Sequence, residues 1–215
     1  MRASVLNLVL AVSVLITGCA HAYRYTPPSS TQNIQKSVTI NEPKDKVWSR
    51  LIPALSQSFF VINNLDKESG LINISYSGDP ELFIDCGEIY SLVDNLAGKR
   101  VYQFPAAKAY QEFEVWTDVP TPVRRKMVLD GRINIVVEQA TAEQTRVSVH
   151  VRYAVEKRVS MLTSVVTGYS TQAIWRDSTD STAFNSGERG TLEGGTECKC
   201  NGELERQIIA LLGTK

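Results

Sequence analysis

The sequence lacks an excess of charge of either sign. It contains 23 Lys+Arg and 23 Asp+Glu residues among 215, so its formal net charge at pH 7 is zero. Nucleic-acid-binding proteins usually present a strong positive field, so this balance argues against a nucleic-acid partner. With 43% hydrophobic and 21% charged residues, the composition is typical of a globular chain and excludes disordered, collagenous and multi-span membrane classes.

Catalytic motifs are also missing. The chain has two histidines, His21 and His150, and has neither a His-Glu-x-x-His zinc motif nor a Gly-x-Ser-x-Gly nucleophile elbow. The glycine-rich segment 187–195 lacks the spacing and the lysine of a phosphate-binding loop, so we interpret it as a mobile loop. We interpret the basic run 124–126 as a solvated charge cluster, with contact to anionic lipid, cell wall or a partner as the alternative. We therefore predict that the protein is not an enzyme and has no cofactor and no metal site.

The first nineteen residues have the pattern of a targeting signal. Met1-Arg2 provides a positive start, and the apolar run from Val5 to Ile16 has the length of a signal-peptide core. This run is shorter than the roughly 20 residues that a membrane span needs. The next residues, Ile16-Thr17-Gly18-Cys19, resemble the bacterial lipobox. That resemblance implies a lipoprotein signal peptide over residues 1–18 and lipidation of Cys19; an ordinary secretory signal with a chance cysteine is the alternative.

The residues after Cys19 bear on location. In lipoproteins of this kind an Asp in the next position commonly retains the protein at the inner membrane, and this chain has Ala20 there. We therefore expect a lipid anchor in the outer membrane with the domain facing the periplasm, surface exposure being the alternative. Residues 19–35 mix Pro, Ser and Thr without periodicity and are predicted to be the lipidated cysteine and a flexible tether. Residues 36–215 are predicted to form a single α+β periplasmic domain.

Two helices and several strands are predicted within that domain. Val47, Trp48, Leu51 and Leu55 recur at helical spacing, and so do Leu204, Ile208, Leu211 and Leu212 near the end of the chain. Alternating apolar residues predict strands at 37–40, 59–65 and 71–76, and a long antiparallel pair at 133–137 and 147–155. The Ser- and Thr-rich segment 159–196 is interpreted as mostly loop. The predicted fold class is α+β, an antiparallel sheet packed on one face by an N-terminal and a C-terminal helix.

One segment carries a family resemblance. The matching features are the strand at 38–40, Pro43, the helical positions Val47, Trp48, Leu51 and Leu55, the apolar strand at 60–62, Asp66, Gly70 and the strand at 71–76. Residues 38–76 thereby resemble the repeated helix-grip domains of the lipoprotein component C of the β-barrel assembly machinery. That family carries two such domains, and this chain has room for one. The resemblance implies a helix-grip-like architecture, an antiparallel sheet that wraps a long helix.

Three cysteines remain once Cys19 is assigned to the lipid. The periplasm is oxidising, so a disulfide is expected among Cys86, Cys198 and Cys200. A bridge between Cys198 and Cys200 would close a small strained ring, so Cys86 is expected to be one partner. Cys198 is preferred as the other, with Cys200 as the alternative. A metal site built from these three residues and His150 is a weaker alternative, because the closely paired spacings of such sites are missing.

Two functions from different classes are therefore predicted. The first is a membrane-anchored, non-enzymatic interaction or scaffold domain that serves cell-envelope assembly or integrity through an envelope protein partner. The alternative is a binder of a lipid or other small hydrophobic ligand in a cavity between helix and sheet. That cavity would lie near Trp48, Ile74 and Val149, whose bulk equally fits a filled core.

Overall fold

The computed structural model describes residues 20–29, 33–167 and 170–213, and 63% of these residues lie in strands against 13% in helices. Cys19 and the predicted signal peptide lie outside the described residues. The strands are β1 (His21–Thr26), β2 (Ser37–Ile40), β3 (Val61–Asp66), β4 (Leu71–Gly78), β5 (Ile84–Asp85), β6 (Glu88–Asn95), β7 (Gly98–Pro105), β8 (Tyr110–Trp116), β9 (Pro120–Thr141), β10 (Gln144–Thr167), β11 (Ser170–Asn185), β12 (Arg189–Leu192) and β13 (Thr196–Cys200). The helices are α1 (Lys44–Ser56) and α2 (Glu203–Ala210), and a short 3₁₀ turn spans Glu193–Gly195.

The strands form three antiparallel sheets. The largest has the strand order β11-β10-β9-β4-β3, with β2 also paired to β10 and β8 also paired to β9. Strands β9 and β10 are 22 and 24 residues long, so each has room for two successive partners along one edge. Two smaller sheets, β1-β6-β7 and β12-β13-β5, complete the fold.

This architecture shows that the predicted α+β class is wrong. The protein is mostly β, with three antiparallel sheets, and it is not a helix-grip sheet packed by an N-terminal and a C-terminal helix. The two predicted helices are present, but they are short, with 13 residues in α1 and 8 in α2. The class was misjudged because exposed strands carry no apolar alternation. Nearly all of β11 is exposed and polar, so its composition resembles that of a loop.

Two further segments differ from prediction. The segment 159–196, interpreted as loop, contains the end of β10, all of β11 and β12, and the start of β13. Part of the predicted tether, His21–Thr26, is strand β1 and pairs with β6 from His21 opposite Val93 to Thr26 opposite Glu88. In both segments most side chains are exposed, and hydrogen bonds between the backbone and a neighbouring strand stabilise the strand.

The predicted periodic elements are confirmed. Helix α1 buries Val47, Trp48, Leu51 and Leu55, and it continues to Ser56 although Pro53 lies inside it. The inward-facing residues of β9 and β10 from Ile133 to Val137 and from Val147 to Val155 are all buried. Because α1 contacts β3, β9 and β10, it covers this end of the large sheet. The sequence predicted either ligand contact or core packing for Trp48, Ile74 and Val149. All three belong to the buried core.

A disulfide joins the connection between β5 and β6 to β13. Cys86, between β5 and β6, is bonded to Cys198 in β13 with an S–S distance of 2.07 Å, which confirms the preferred pairing. Cys200 is a free, buried thiol. Since two of the four proposed metal ligands are bonded to each other, the alternative metal site is not assembled. No group of three or more metal-ligating side chains occurs within the described residues.

Candidate functional site

Strand β9 places a basic residue in an apolar position. Its inward face is buried at every second residue from Thr121 to Val137, and Arg125 occupies one of these positions between Val123 and Met127. The neighbours Arg124 and Lys126 point to the exposed face. The basic run is therefore not a uniform solvated cluster, because its middle residue lies in the interior.

Arg125 has few partners for a buried cation. Its side chain is 3% exposed, and its Nη1 donates a hydrogen bond to the backbone carbonyl of Ala106. Nη2 is buried and has no hydrogen-bond partner within the described residues. Burial lowers the pKa of Arg125 to about 10, which leaves it charged at neutral pH, and the nearby groups that oppose this shift are Tyr23 and Tyr25 rather than a carboxylate. A buried charge without a counter-ion costs roughly several kcal/mol. Lys199 Nζ is a second buried donor without a partner within the described residues, and Arg125 Nη2 is the one that lies against a pocket.

An apolar pocket of about 400 Å³ lies against Arg125. This volume falls within the usual range of small-molecule sites. The apolar wall is formed by side chains from β6, β8, β9 and β10: Ile89, Phe113, Val115, Trp116, Val123, Val159 and Met161. The polar part of the lining consists of Tyr23, Arg125, Lys157, Glu193, Gly194 and Thr196. We name this cavity the Arg125 pocket.

A second cation adds to the polar end of the Arg125 pocket. The Lys157 Nζ donates a hydrogen bond to the backbone carbonyl of Glu193. Burial lowers the pKa of Lys157, the charge of Arg125 lowers it further, and Asp180 and Glu193 oppose both effects. Arg125 thus remains the cation without carboxylate compensation. The arrangement can bind a negatively charged group at one end and an apolar group along the wall.

The N-terminal strand lies at the edge of this pocket. Tyr23 of β1 is part of the lining, and the His21 ring stacks on the Trp116 ring with 5.2 Å between centroids. Cys19, the predicted lipidation site, precedes β1 by two residues in the sequence. No helix within the described ranges is long and apolar enough to cross a membrane.

The sequence-predicted ligand residues do not meet at this site. Trp48, Ile74 and Val149 are absent from its lining and lie in the core. The glycine-rich segment 187–195, interpreted as a mobile loop, instead forms β12 and the 3₁₀ turn, and Gly194 lines the pocket. Extending the alternation of β9 backwards from Ile133 would have placed Arg125 on the inward face, and this was the missed signal.

A separate buried polar cluster fixes α2 against β10. Glu205 is fully buried, and it accepts a hydrogen bond from the Tyr153 hydroxyl at 2.8 Å and another from Ser186 Oγ. Burial and the charge of Glu205 raise the pKa of Tyr153, and burial raises the pKa of the Cys200 thiol. With these two hydrogen-bond donors Glu205 has a structural role in this cluster.

Comparisons of the chain with protein-family models, with curated proteins and with solved structures find no match.

Proposed function

We propose that this protein is a membrane-anchored, non-enzymatic domain of the bacterial cell envelope that binds an amphipathic ligand with an anionic head group in the Arg125 pocket. The observation that carries the proposal is the buried Nη2 of Arg125, which has no partner within the described residues. A phosphate or carboxylate at this point would supply the missing acceptor and the missing counter-charge. The apolar wall would receive the hydrocarbon part of the same ligand.

The anchor suits such a ligand. If Cys19 carries lipid in the outer membrane, as its sequence context predicts, the short path from Cys19 through β1 holds the Arg125 pocket close to that membrane. An anionic phospholipid or a fatty acid would then be available without crossing the periplasm. The ligand class is the hydrophobic one expected from sequence, but its site lies at the other end of the sheet from Trp48, Ile74 and Val149.

Copurifying lipid tests this proposal. The full-length protein is purified from membranes in mild detergent, and bound lipids are counted per protein by mass spectrometry. We expect anionic lipid with the wild type and at least about tenfold less with Arg125→Met, because a charge-assisted hydrogen bond is lost. Arg124→Met is the matched control, since this neighbour lies on the exposed face of the same strand. Equal lipid content in all three proteins would contradict the proposal.

An interaction or scaffold role in envelope assembly is the second candidate. It is favoured by the β10–β11 hairpin, which continues past the last β9 pairing at Met161 opposite Val123. Val166 is 71% exposed on this arm, and Trp175 is also exposed there. The Arg124 guanidinium lies 4.0 Å from the centre of the Trp175 ring, so the base of the arm is held against β9.

Crosslinking in intact cells tests the second candidate. A reproducible envelope protein that copurifies with the tagged wild type, and is lost with Val166→Lys, would support a partner on the arm. A Cys19→Ala copy controls for contacts that depend only on the anchor. The absence of any protein partner, together with bound anionic lipid, would leave the ligand-binding proposal alone.

A further inference from the structure

The outer face of the large sheet holds two arginines that oppose each other. Arg132 of β9 and Arg152 of β10 are directly paired in register. Both are exposed, and neither forms an ion pair or hydrogen bond within the described ranges. Like charges placed directly opposite on neighbouring strands are destabilising. The sheet therefore carries an electrostatic cost at this position that its own side chains do not relieve.

Three other arginines on the same face have carboxylates beside them. Arg146 is opposite Glu138 in the β9–β10 register. Arg158, which is opposite Lys126, forms an ion pair with Glu156. Arg124 forms an ion pair with Glu112 at 3.1 Å. The Arg132–Arg152 pair differs from these three arginines, because neither member has a carboxylate opposite it or in an ion pair with it within the described residues.

The two arginines line a polar groove of about 370 Å³. Lys36 and His150 add to its lining, and the Lys36 Nζ is held by a 2.6 Å hydrogen bond to the backbone carbonyl of Ser186. Asn134 accepts a hydrogen bond at its Oδ1 from Asn73 Nδ2 at 2.7 Å, which leaves the Asn134 amide nitrogen as a donor. Among the described residues, no carboxylate is part of the lining.

From this arrangement we infer that the groove formed by Lys36, Arg132, Asn134, His150 and Arg152 is a binding site for an oxyanion carried by a small hydroxyl-rich molecule, such as a sugar phosphate. An oxyanion between two guanidinium groups accepts charge-assisted hydrogen bonds from both and removes their repulsion. The amide of Asn134 and the ammonium of Lys36 are suited to hydroxyl and phosphate oxygens.

The surroundings favour a compact anion over a polyanion. Asp130 lies two residues before Arg132 on the same face of β9, and Glu188 accepts hydrogen bonds from Asn185 at the other side of the groove. These carboxylates confine the positive region to the groove. A long nucleic acid or an anionic membrane surface would meet them, whereas a molecule the size of a sugar phosphate would not.

This site is independent of the Arg125 pocket. Arg125 and the pocket wall use the inward residues of β9 and β10, whereas Arg132 and Arg152 use the outward ones. Loss of one ligand is therefore not expected to remove the other. Each variant can be measured for both ligands on the same protein.

Calorimetric titration of the full-length protein in detergent micelles, at low ionic strength, tests the inference. The probes are glucose 6-phosphate, inorganic phosphate and glucose. We expect glucose 6-phosphate to bind most tightly, and Arg132→Gln/Arg152→Gln to bind it at least about tenfold more weakly. Arg146→Gln, on the same face but opposite a carboxylate, should bind it like the wild type.

Several results would overturn the inference. These are no binding of glucose 6-phosphate by the wild type at millimolar concentration, equal binding by the double variant, or equally tight binding of glucose. Inorganic phosphate binding as tightly as glucose 6-phosphate would overturn the hydroxyl-rich carrier. Without ligand, relief of repulsion should leave the melting temperature of the double variant equal or higher, and a clear decrease would show that the arginines have partners in the protein.

Discussion

The two ends of the β9–β10 pair follow the same alternation of apolar and polar residues, but their inward side chains are buried to different degrees. At one end Ile135 and Val149 are completely buried beneath α1. At the other end Val159 and Met161 form the wall of the Arg125 pocket, and a charged side chain replaces an apolar one. The alternation decides which face points inward. It does not decide how completely other elements cover that face, and at the pocket end Val159 and Met161 are only partly buried.

Among the changes that test this comparison, removal of the disulfide should have the largest effect on stability. The disulfide joins residues 112 apart in sequence and holds β13, whose Thr196 lines the Arg125 pocket. Replacing Cys86 and Cys198 by Ser should lower the free energy of unfolding by about 4 kcal/mol, because a long loop is released in the unfolded state. Denaturant unfolding measures this loss. Cys200→Ser should cost much less, and an equal cost would argue that burial of sulfur, not the crosslink, stabilises the fold.

Matched valines compare the two ends directly. Val149→Ala, in the covered core, should lower the free energy of unfolding by about 2 kcal/mol through lost burial and a new cavity. Val159→Ala lies on the same strand and face, but it is only partly buried at the pocket wall, so it should cost less than about 1 kcal/mol. Thermal and denaturant unfolding measure both, and equal costs would show that the pocket end is packed as tightly as the core.

The Tyr153–Glu205 contact gives a pH-dependent test at the covered end. The pKa of Tyr153 is raised in the folded protein, so the unfolded state loses this proton first. The resulting stability is fully present below pH 10, the ordinary tyrosine pKa, and it decreases as the pH rises above that value. Tyr153→Phe should lower stability at pH 7 by about 1 kcal/mol and flatten the decline above pH 10. An unchanged alkaline slope would exclude Tyr153 as its source.

Arg125→Met should have the smallest effect on stability. Replacing a buried cation that lacks a counter-ion by an apolar side chain of similar length is often neutral or stabilising. We therefore expect an unfolding free energy within about 1 kcal/mol of the wild type, or higher, while the anionic lipid is lost. A large loss of stability would show that the hydrogen bond to Ala106 is the main role of Arg125 and would weaken the ligand assignment.

The helices and the half-buried strands were predictable because a buried face requires apolar residues at regular spacing in the sequence. Both helices, the β3–β4 hairpin and the inward faces of β9 and β10 follow from apolar spacing. The participation of Cys86 in the disulfide followed from the small ring that Cys198 and Cys200 would close, whereas the structure decides that its partner is Cys198 and not Cys200. The exposed strand β11 and the outermost part of β10 were missed, because strands stabilised mainly by backbone pairing need no particular side chains.

The candidate site was harder to predict for a different reason. Arg125 stands in a basic run that looks solvated, and Ile89, Phe113 and Trp116 come from segments without a clear pattern. These residues converge only because β9 is long enough to pair with β4 at one end and β8 at the other. Sequence spacing along one strand carries no information about which distant strand arrives beside it.

The sequence by itself determined the inward and outward faces, the two helices, a disulfide from Cys86 to Cys198 or Cys200, and the expectation of a lipid anchor at Cys19, because these depend on local periodicity or on local chemistry. Tertiary structure decided the mostly β architecture, the burial of Arg125 and the opposition of Arg132 and Arg152. Those features depend on strand register and on which faces are covered. Register and cover are set by long-range contacts between segments whose local patterns are independent of one another.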